Sequence, residues 1–587
     1  MNRHRMPWGL ALATATLLGL TACGGGSDTP AATATTTTFS GTAATGAALA
    51  NATVTITCAS GTGTTTTATN GSYTKDLTGI TLPCALKAAS SDGTTVLYSV
   101  TTATATSSST QVANITPLTQ LLVASLAGTD PATFFDTVTS SPASITSVVT
   151  ASAVSTAQTA VLTLLSDAGI DTSSLTSTGL ISGSLVAGSN TGYDGILESL
   201  YTLITSTIDS NPVTALASLT TTVATTSTAT TTGTTNVASL PAALLLKTAD
   251  TNCSALRSGD YWAISPTMGG TIANQYTSGS YNASTKAATN LVGGSTVFSN
   301  ASTTCRYLAA DGVSDIVVSQ AGLVVARYRD GSNVYRLGFA IPKQTIALSE
   351  LAGTWNALGF STTTAGTSYK GEMWTATVGS AGVTSDAIGC DGTSPTSTCS
   401  AVSTSNLPTF SSNSDGGFNV TTPAFPTDIS RAFAYRAGNG DLMLVMVDGD
   451  GSVSTWTKQR TLSLPDVNTI QSASWSIRAL STLVANALNI SYPATVTAVD
   501  SVAGSFTRTV NMADGTVDYS ETILQNTPRA GYNFRAVGST TSVSGSGTAN
   551  IRERTSLGLR GMGVSVQSVP VQTGISSAGF QMSVDQP

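Results

Sequence analysis

Leu442-Met443-Leu444-Val445-Met446-Val447 runs into Asp448-Gly449-Asp450-Gly451-Ser452 and then Val453. Six apolar residues are the length of a strand, and the Asp-Gly pairs that end the run are strong turn formers. The stretch therefore reads as strand, hairpin turn, strand. The acidic turn superficially suggests a calcium loop, but it lacks that motif's glycine at the sixth position and its distal glutamate. A hairpin is the better assignment.

The same pattern extends on both sides. Gly259-Asp260-Tyr261-Trp262, Gly353-Thr354-Trp355 and Ser472-Ala473-Ser474-Trp475 each open a stretch of roughly 100 residues, which predicts repeated antiparallel β units. Within them Arg327-Tyr328-Arg329-Asp330-Gly331 compares with Ala434-Tyr435-Arg436-Ala437-Gly438, and more loosely with Met512-Ala513-Asp514-Gly515. The first two units also close alike, Lys343 to Leu348 against Lys458 to Leu464. We expect β units over 251–350, 351–470 and 471–587, with Trp262, Trp355 and Trp475 as equivalent core residues. Trp374 and Trp456 fall outside that pattern and are the first candidates for an exposed binding face.

Composition agrees with a mainly β, exported chain. The 587 residues are 41% hydrophobic but only 9% charged, with 55 glycines, against about 25% charged in an average soluble domain. Helical enzymes and coiled coils need Glu, Lys and Arg on their exposed faces. The threonine that replaces them here favours pleated surfaces.

Upstream, Ser40-Gly41-Thr42, Gly46 to Ile56 and Thr65 to Tyr73 show apolar–Thr alternation (Val54, Ile56) and an Asn70-Gly71 turn. This "G-x-x-L-x-x-A-x-V" strand followed by a "T-x-T-x-x-x-G-x-Y" hairpin resembles carboxypeptidase regulatory-like (transthyretin-like) domains. The resemblance implies an immunoglobulin/transthyretin-like β-sandwich over 39–110 with no catalytic residues. Residues 111–218 change to helical spacing. Thr116-Pro117 and Asp130-Pro131 are helix starts, and further helices are expected from Ile145 to Ala168 and from Asp194 to Ile208. The stretch Ile115-Thr116-Pro117-Leu118-Thr119 resembles one seen after such modules in β-proteobacterial exported lipoproteins. Residues 219–250 open with a Thr/Ala/Val tract that reads as a low-complexity, disordered linker.

Arg3 and Arg5 precede an uncharged apolar run from Pro7 to Leu20, too short to span a bilayer comfortably. Leu20-Thr21-Ala22-Cys23-Gly24 then resembles the lipobox of bacterial lipoproteins. That resemblance implies a signal peptide over 1–22, lipidation of Cys23 with acyl chains such as palmitate, and, with Gly24 rather than Asp next, the outer membrane. Two or more acyl chains anchor stably. Residues 23–38 would be a flexible tether. Cleavage removes His4, the only histidine, and two arginines, leaving 22 basic against 31 acidic residues, a net of −9. Nucleic acid is a poor partner for such a chain.

The six remaining cysteines, Cys58, Cys84, Cys253, Cys305, Cys390 and Cys399, form an even set in an exported chain and point to disulfides. Six cysteines allow 15 pairings; spacing favours sequence neighbours. No CxxC occurs, and without histidine a metal site has little support.

A mature chain without histidine has no Ser-His-Asp triad, no Cys-His pair and no His-ligated zinc. Ser72-x-x-Lys75 matches an acyl-enzyme shorthand, but it follows a hairpin turn rather than opening a helix, and so reads as a strand. Glu372 beside Trp374 is the most suggestive carboxylate, because sugars stack on Trp. Gly353-Thr354-Trp355 resembles the first strand of lipocalin-like barrels, where Trp plugs the floor. The leading expectation is a lipid-anchored envelope protein with a structural, adhesive or ligand-binding role, without catalysis or cofactor. Its partner would be an envelope protein, a glycan or an apolar ligand. The alternatives are a carboxylate-dependent hydrolase of an extracellular or envelope polymer, which a cleft holding a carboxylate pair with one raised pKa would favour, and a lipocalin-like carrier.

Overall fold

The computed structural model describes residues 35–101, 110–175, 179–228, 240–267, 270–291, 293–363, 368–511, 517–538, 540–542, 552–571 and 578–587. The signal peptide, Cys23, the tether to residue 34, residues 229–239 of the low-complexity tract and the Met512–Gly515 hairpin lie outside the described residues. The fold is mainly β with a helical insert and curled, barrel-like C-terminal sheets.

The first body is a seven-stranded sandwich. A three-stranded sheet, in the order Ser72–Thr78, Thr36–Thr42, Thr110–Val112, accompanies a four-stranded one built on Thr53–Ser60 and Thr81–Ala89. Ser72 and Lys75 lie on a strand. The first strand begins at Thr36, inside the stretch expected to be tether, because Phe39 is fully buried in this core. Cys58 and Cys84 face each other across adjacent strands and are joined.

The helices Pro117–Ala127, Pro131–Ser140, Ala151–Asp167, Gly192–Thr207 and Pro212–Thr228 share one apolar core with the sandwich. Thr116 caps the first of them, and Gly128 ends it in the left-handed region at φ 61°. The single helix expected from Ile145 to Ala168 is broken into Ile145–Val148 and Ala151–Asp167. The disordered linker also needs correction, because residues 219–228 continue a helix. Leu219 and Val223, four apart, are buried against the first helix, and Gln120 Nε2 donates to Thr220 Oγ1 at 3.3 Å.

The C-terminal units share a topology. In the first, the opening strand Gly259–Ile264 pairs with the closing strand Tyr335–Pro342; in the second, Gly353–Thr362 pairs with Val453–Lys458. Both sheets have nine strands in the same order, with hairpins running outward from that central pair. In the third, Ser474–Leu480 pairs with the last strand, Gly579–Asp585. Strand alternation divides each apolar run between two cores. Leu442 and Leu444 point into the second sheet's own interior with Trp355, Phe410 and Trp456. Met443, Val445 and Val447 enter a core common to all three units, with Ile341 of the first and Val566 of the third.

Two details of the repeat differ from expectation. Gly259 and Gly353 occupy equivalent positive-φ positions (143° and 129°), so Tyr261, not Trp262, is the counterpart of Trp355. Trp262 faces outward instead, onto Phe433 of the second unit at 4.6 Å. The hairpin equivalent to Asp330-Gly331 is Asp448–Gly451, one hairpin later than Ala437-Gly438. Both lead into the closing strand.

The third unit carries an acidic residue in a basic interior. Glu521 is fully buried; Arg508 donates to Oε1 and Arg535 to Oε2 at 2.5 Å, with Arg554 at 3.8 Å. Burial raises its pKa, but the three guanidinium groups outweigh that and hold it at about 2.

Candidate functional site

The second unit's interior is built in layers that the strand register defines. Trp355 fills the lowest layer, and its Nε1 donates to Leu351 O at 2.8 Å. Above it Trp374, Ala357, Trp456 and Leu444 form one row across four strands. The next row is Glu372, Gly359, Ser454 and Met446. Gly359 is needed there, since a Cβ would sit 3.1 Å from Ser454 Cβ and 3.2 Å from Glu372 Cγ. Past Met446 the same face presents Asp448. These upper rows line a cavity of about 540 Å³, together with Phe425, Asp428, Ser430, Asp450 and Asn406. The volume is that of a small-ligand site.

The hairpin that carries Asp448 and Asp450 is held in place. Asp448 N donates to Ser452 O at 3.0 Å and Gly451 N to Asp448 O at 3.0 Å. Asp450 accepts from Thr362 Oγ1 at 2.6 Å and from Ser452 N at 2.8 Å. Gln275 of the first unit, fully buried, donates to Gly449 O at 3.1 Å. Gly451, at φ 89°, lets the backbone of Thr267 approach to where a Cβ would lie 2.4 Å from its carbonyl oxygen. This is a hairpin turn braced by the neighbouring unit. Among the described residues no three of His, Cys, Asp and Glu come together as a metal cage.

The carboxylates are electrostatically unsettled. Burial pushes the Glu372 pKa up, against hydrogen bonds from Ser361 and Trp374 that lower it. Burial pushes Asp448 up to about 6; a Ser430 hydrogen bond opposes this, while Asp450, Glu372 and Asp428 add like-charge repulsion. Asp448 Oδ1 is buried with no hydrogen-bond partner among the described residues. A buried, unsatisfied acceptor costs free energy that a donor from a ligand would recover.

Glu372, Trp374 and Trp456, the residues singled out in the sequence, thus lie around one cavity. Trp456 is not on an exposed face, being only 2% accessible. It shares the inward face of its strand with Ser454, whose Oγ accepts from its Nε1 at 2.8 Å, and it stands edge-on to Phe410. Trp374 is half-buried, its ring laid against Gly389. Asp448, Asp428 and Asp450 were not singled out as site residues. Their signal was the period of two, which puts Leu442, Leu444, Met446 and Asp448 on one face.

The other candidate residues are structural. Cys253–Cys305 and Cys390–Cys399 are disulfides, the latter across directly paired strand positions. The first unit's interior is filled by Tyr281, Phe298 and Tyr307. Both tyrosine hydroxyls donate to the buried Asp250, at 2.6 and 2.7 Å, and Lys286 pairs with it at 2.8 Å.

No family model and no curated protein matches the chain. Among solved structures it is similar to a protein of unknown function of the DUF3598 family from Nostoc punctiforme, at 10% identity over 41% of this chain and 98% of that one, with a TM-score of 0.14. It is also similar to the vaccine antigen transferrin binding protein B of Haemophilus parasuis, at 8% identity over 56% of this chain and 76% of that one, TM-score 0.17. Isotype 1 transferrin binding protein B from serogroup B Neisseria meningitidis gives 8% identity, 53% and 58% coverage and a TM-score of 0.17. At these scores the likenesses bear on neither ligand nor partner.

Proposed function

We propose that the chain is a lipid-anchored, outer-membrane protein that binds a small ligand in the cavity of its second β unit and does not transform it. The observation that carries the binding role is the cavity itself, where four carboxylates and two tryptophans line about 540 Å³. An apolar cargo suits it poorly, since it would cover the Asp448 carboxyl, whose Oδ1 has no donor among the described residues, and offer it none. Saturation-transfer NMR against a panel of saccharides, diols and amines is expected to give at least one saturable ligand whose signal is lost in Trp374→Ala. The absence of any saturable ligand, or binding indifferent to that change, contradicts the proposal. The anchor rests on the lipobox resemblance at Cys23; Cys23→Ser should release the protein from membranes, and retention refutes it.

A second reading, carboxylate-dependent hydrolysis of an envelope or extracellular polymer, is favoured by one observation: Glu372 and Asp448 line the same cavity and both are raised. An acid–base pair needs environments that push its two pKa values apart. These two move in the same direction, for the same reason, which fits a binding site better. New reducing ends formed from polysaccharide by the wild type but not by Glu372→Gln would reverse that preference.

A further inference from the structure

We propose that the ligand of this cavity carries an organic cation, an ammonium or guanidinium group that docks against Asp448 and Glu372 with its carbon skeleton on Trp374 and Trp456. This rests on the binding role proposed above and names its chemistry. Four carboxylates, those of Glu372, Asp428, Asp448 and Asp450, line the cavity, and among the described lining residues none is basic. In the first and third units two buried carboxylates are neutralised by the chain itself: Asp250 has Lys286 and two tyrosine hydroxyls, and Glu521 has three arginines. The ion pairs described in the second unit engage Glu350, Asp391, Asp415 and Asp441 rather than these four, and Asp448 Oδ1 has no hydrogen-bond donor among the described residues.

A bare metal ion does not fit this cavity. The carboxylates line a cavity far larger than an ion and do not converge as a cage, whereas a hard cation needs six or more oxygens drawn around it. An organic cation uses what is present. Its N–H groups can donate to the lining carboxylates, and the two tryptophans that line the same cavity offer its carbon skeleton an aromatic wall. The like-charge repulsion among Glu372, Asp428, Asp448 and Asp450 is relieved when it binds.

The test is a titration of the full chain at pH 7.5 with matched pairs of probes, cadaverine against 1,5-pentanediol and glucosamine against glucose, followed by saturation-transfer NMR. We expect at least one amine to bind at least tenfold more tightly than its neutral match. That binding should weaken at least tenfold in Asp448→Asn and also in Asp428→Asn, which alters only an exposed side chain at the rim and leaves the interior intact. It should also weaken at pH 5, where Asp448, faced by Asp450, Glu372 and Asp428, takes up a proton. Glucose or pentanediol binding as well as its amine counterpart overturns the cation assignment while leaving a binding cavity in place. No saturable binding by either member of both pairs overturns the cation assignment. If the wider saccharide, diol and amine panel also fails, the binding role falls with it.

Discussion

The Asp448 carboxyl is lifted to about 6 by burial and by three neighbouring acids. A carboxyl raised in the folded state favours the folded form while protonated, so its contribution is best at low pH and is lost as pH rises from its usual 3.8 through about 6. Asp448→Asn should therefore raise thermal stability at pH 8, by about 2 kcal/mol, and leave it nearly unchanged at pH 4. Equal effects at both pH values would show that the carboxyl is not under this strain. Glu521 has the opposite sign: held at about 2 by its arginines, it contributes fully above its usual 4.5 and loses that contribution as pH falls toward about 2. Glu521→Gln leaves Arg508 and Arg535 without their counter-charge and should cost about 3 kcal/mol in denaturant unfolding at pH 7. At this scale the sequence was half legible. Glu372 and Trp374 stand out because an acid sits beside an aromatic residue. In the sequence Asp448 reads as part of an acidic turn, because its place on the cavity face depends on which way its strand's side chains alternate.

Among the elements, the helix Pro212–Thr228 is the least expected. Thr and Ser depress intrinsic helicity, so composition alone points to a linker. Packing decides otherwise, with Leu219 and Val223 a turn apart on the buried side. Leu219→Ala should cost about 2 to 4 kcal/mol if this packing holds, and nothing measurable if the segment is a free linker; urea denaturation separates the two. Disulfides rank by the loops they close. Cys253–Cys305 spans 52 residues and Cys390–Cys399 spans 9, so paired alanine replacement should cost about 4 and about 3 kcal/mol respectively. A reversed order would mean that native packing, not the unfolded chain, sets their contributions. Helix starts were legible at Thr116-Pro117 and Asp130-Pro131 because capping is local chemistry. The hairpin correspondence slipped by one because turn residues repeat wherever strands turn, and only the pairing to the closing strand tells them apart.

For the whole molecule, the run Leu442 to Val447 explains why the repeated units belong together. A strand with one solvated face would alternate apolar and polar residues; this one is apolar on both faces because it separates two cores. Cut away from its neighbours, the second unit would expose Leu358, Phe360, Met443, Val445 and Val447. Residues 251–587 should accordingly melt in a single calorimetric transition, and three separable transitions would contradict the common core. Composition and the opening strands were enough to expect repeated β units, but a shared core depends on contacts such as that of Phe360 with Phe580, far apart in the chain, which no local pattern reports.

The binding cavity itself is tested most directly by methyl NMR of the full chain carrying ¹³C-methyl methionine. Met446 lines the cavity, while Met582 is buried in the core common to the three units. Titration with cadaverine or glucosamine should shift the Met446 methyl saturably and leave Met582 unmoved. A Met446 signal that stays fixed while other methionines move, or no shift at all across the saccharide, diol and amine panel, would contradict a ligand site in the second unit.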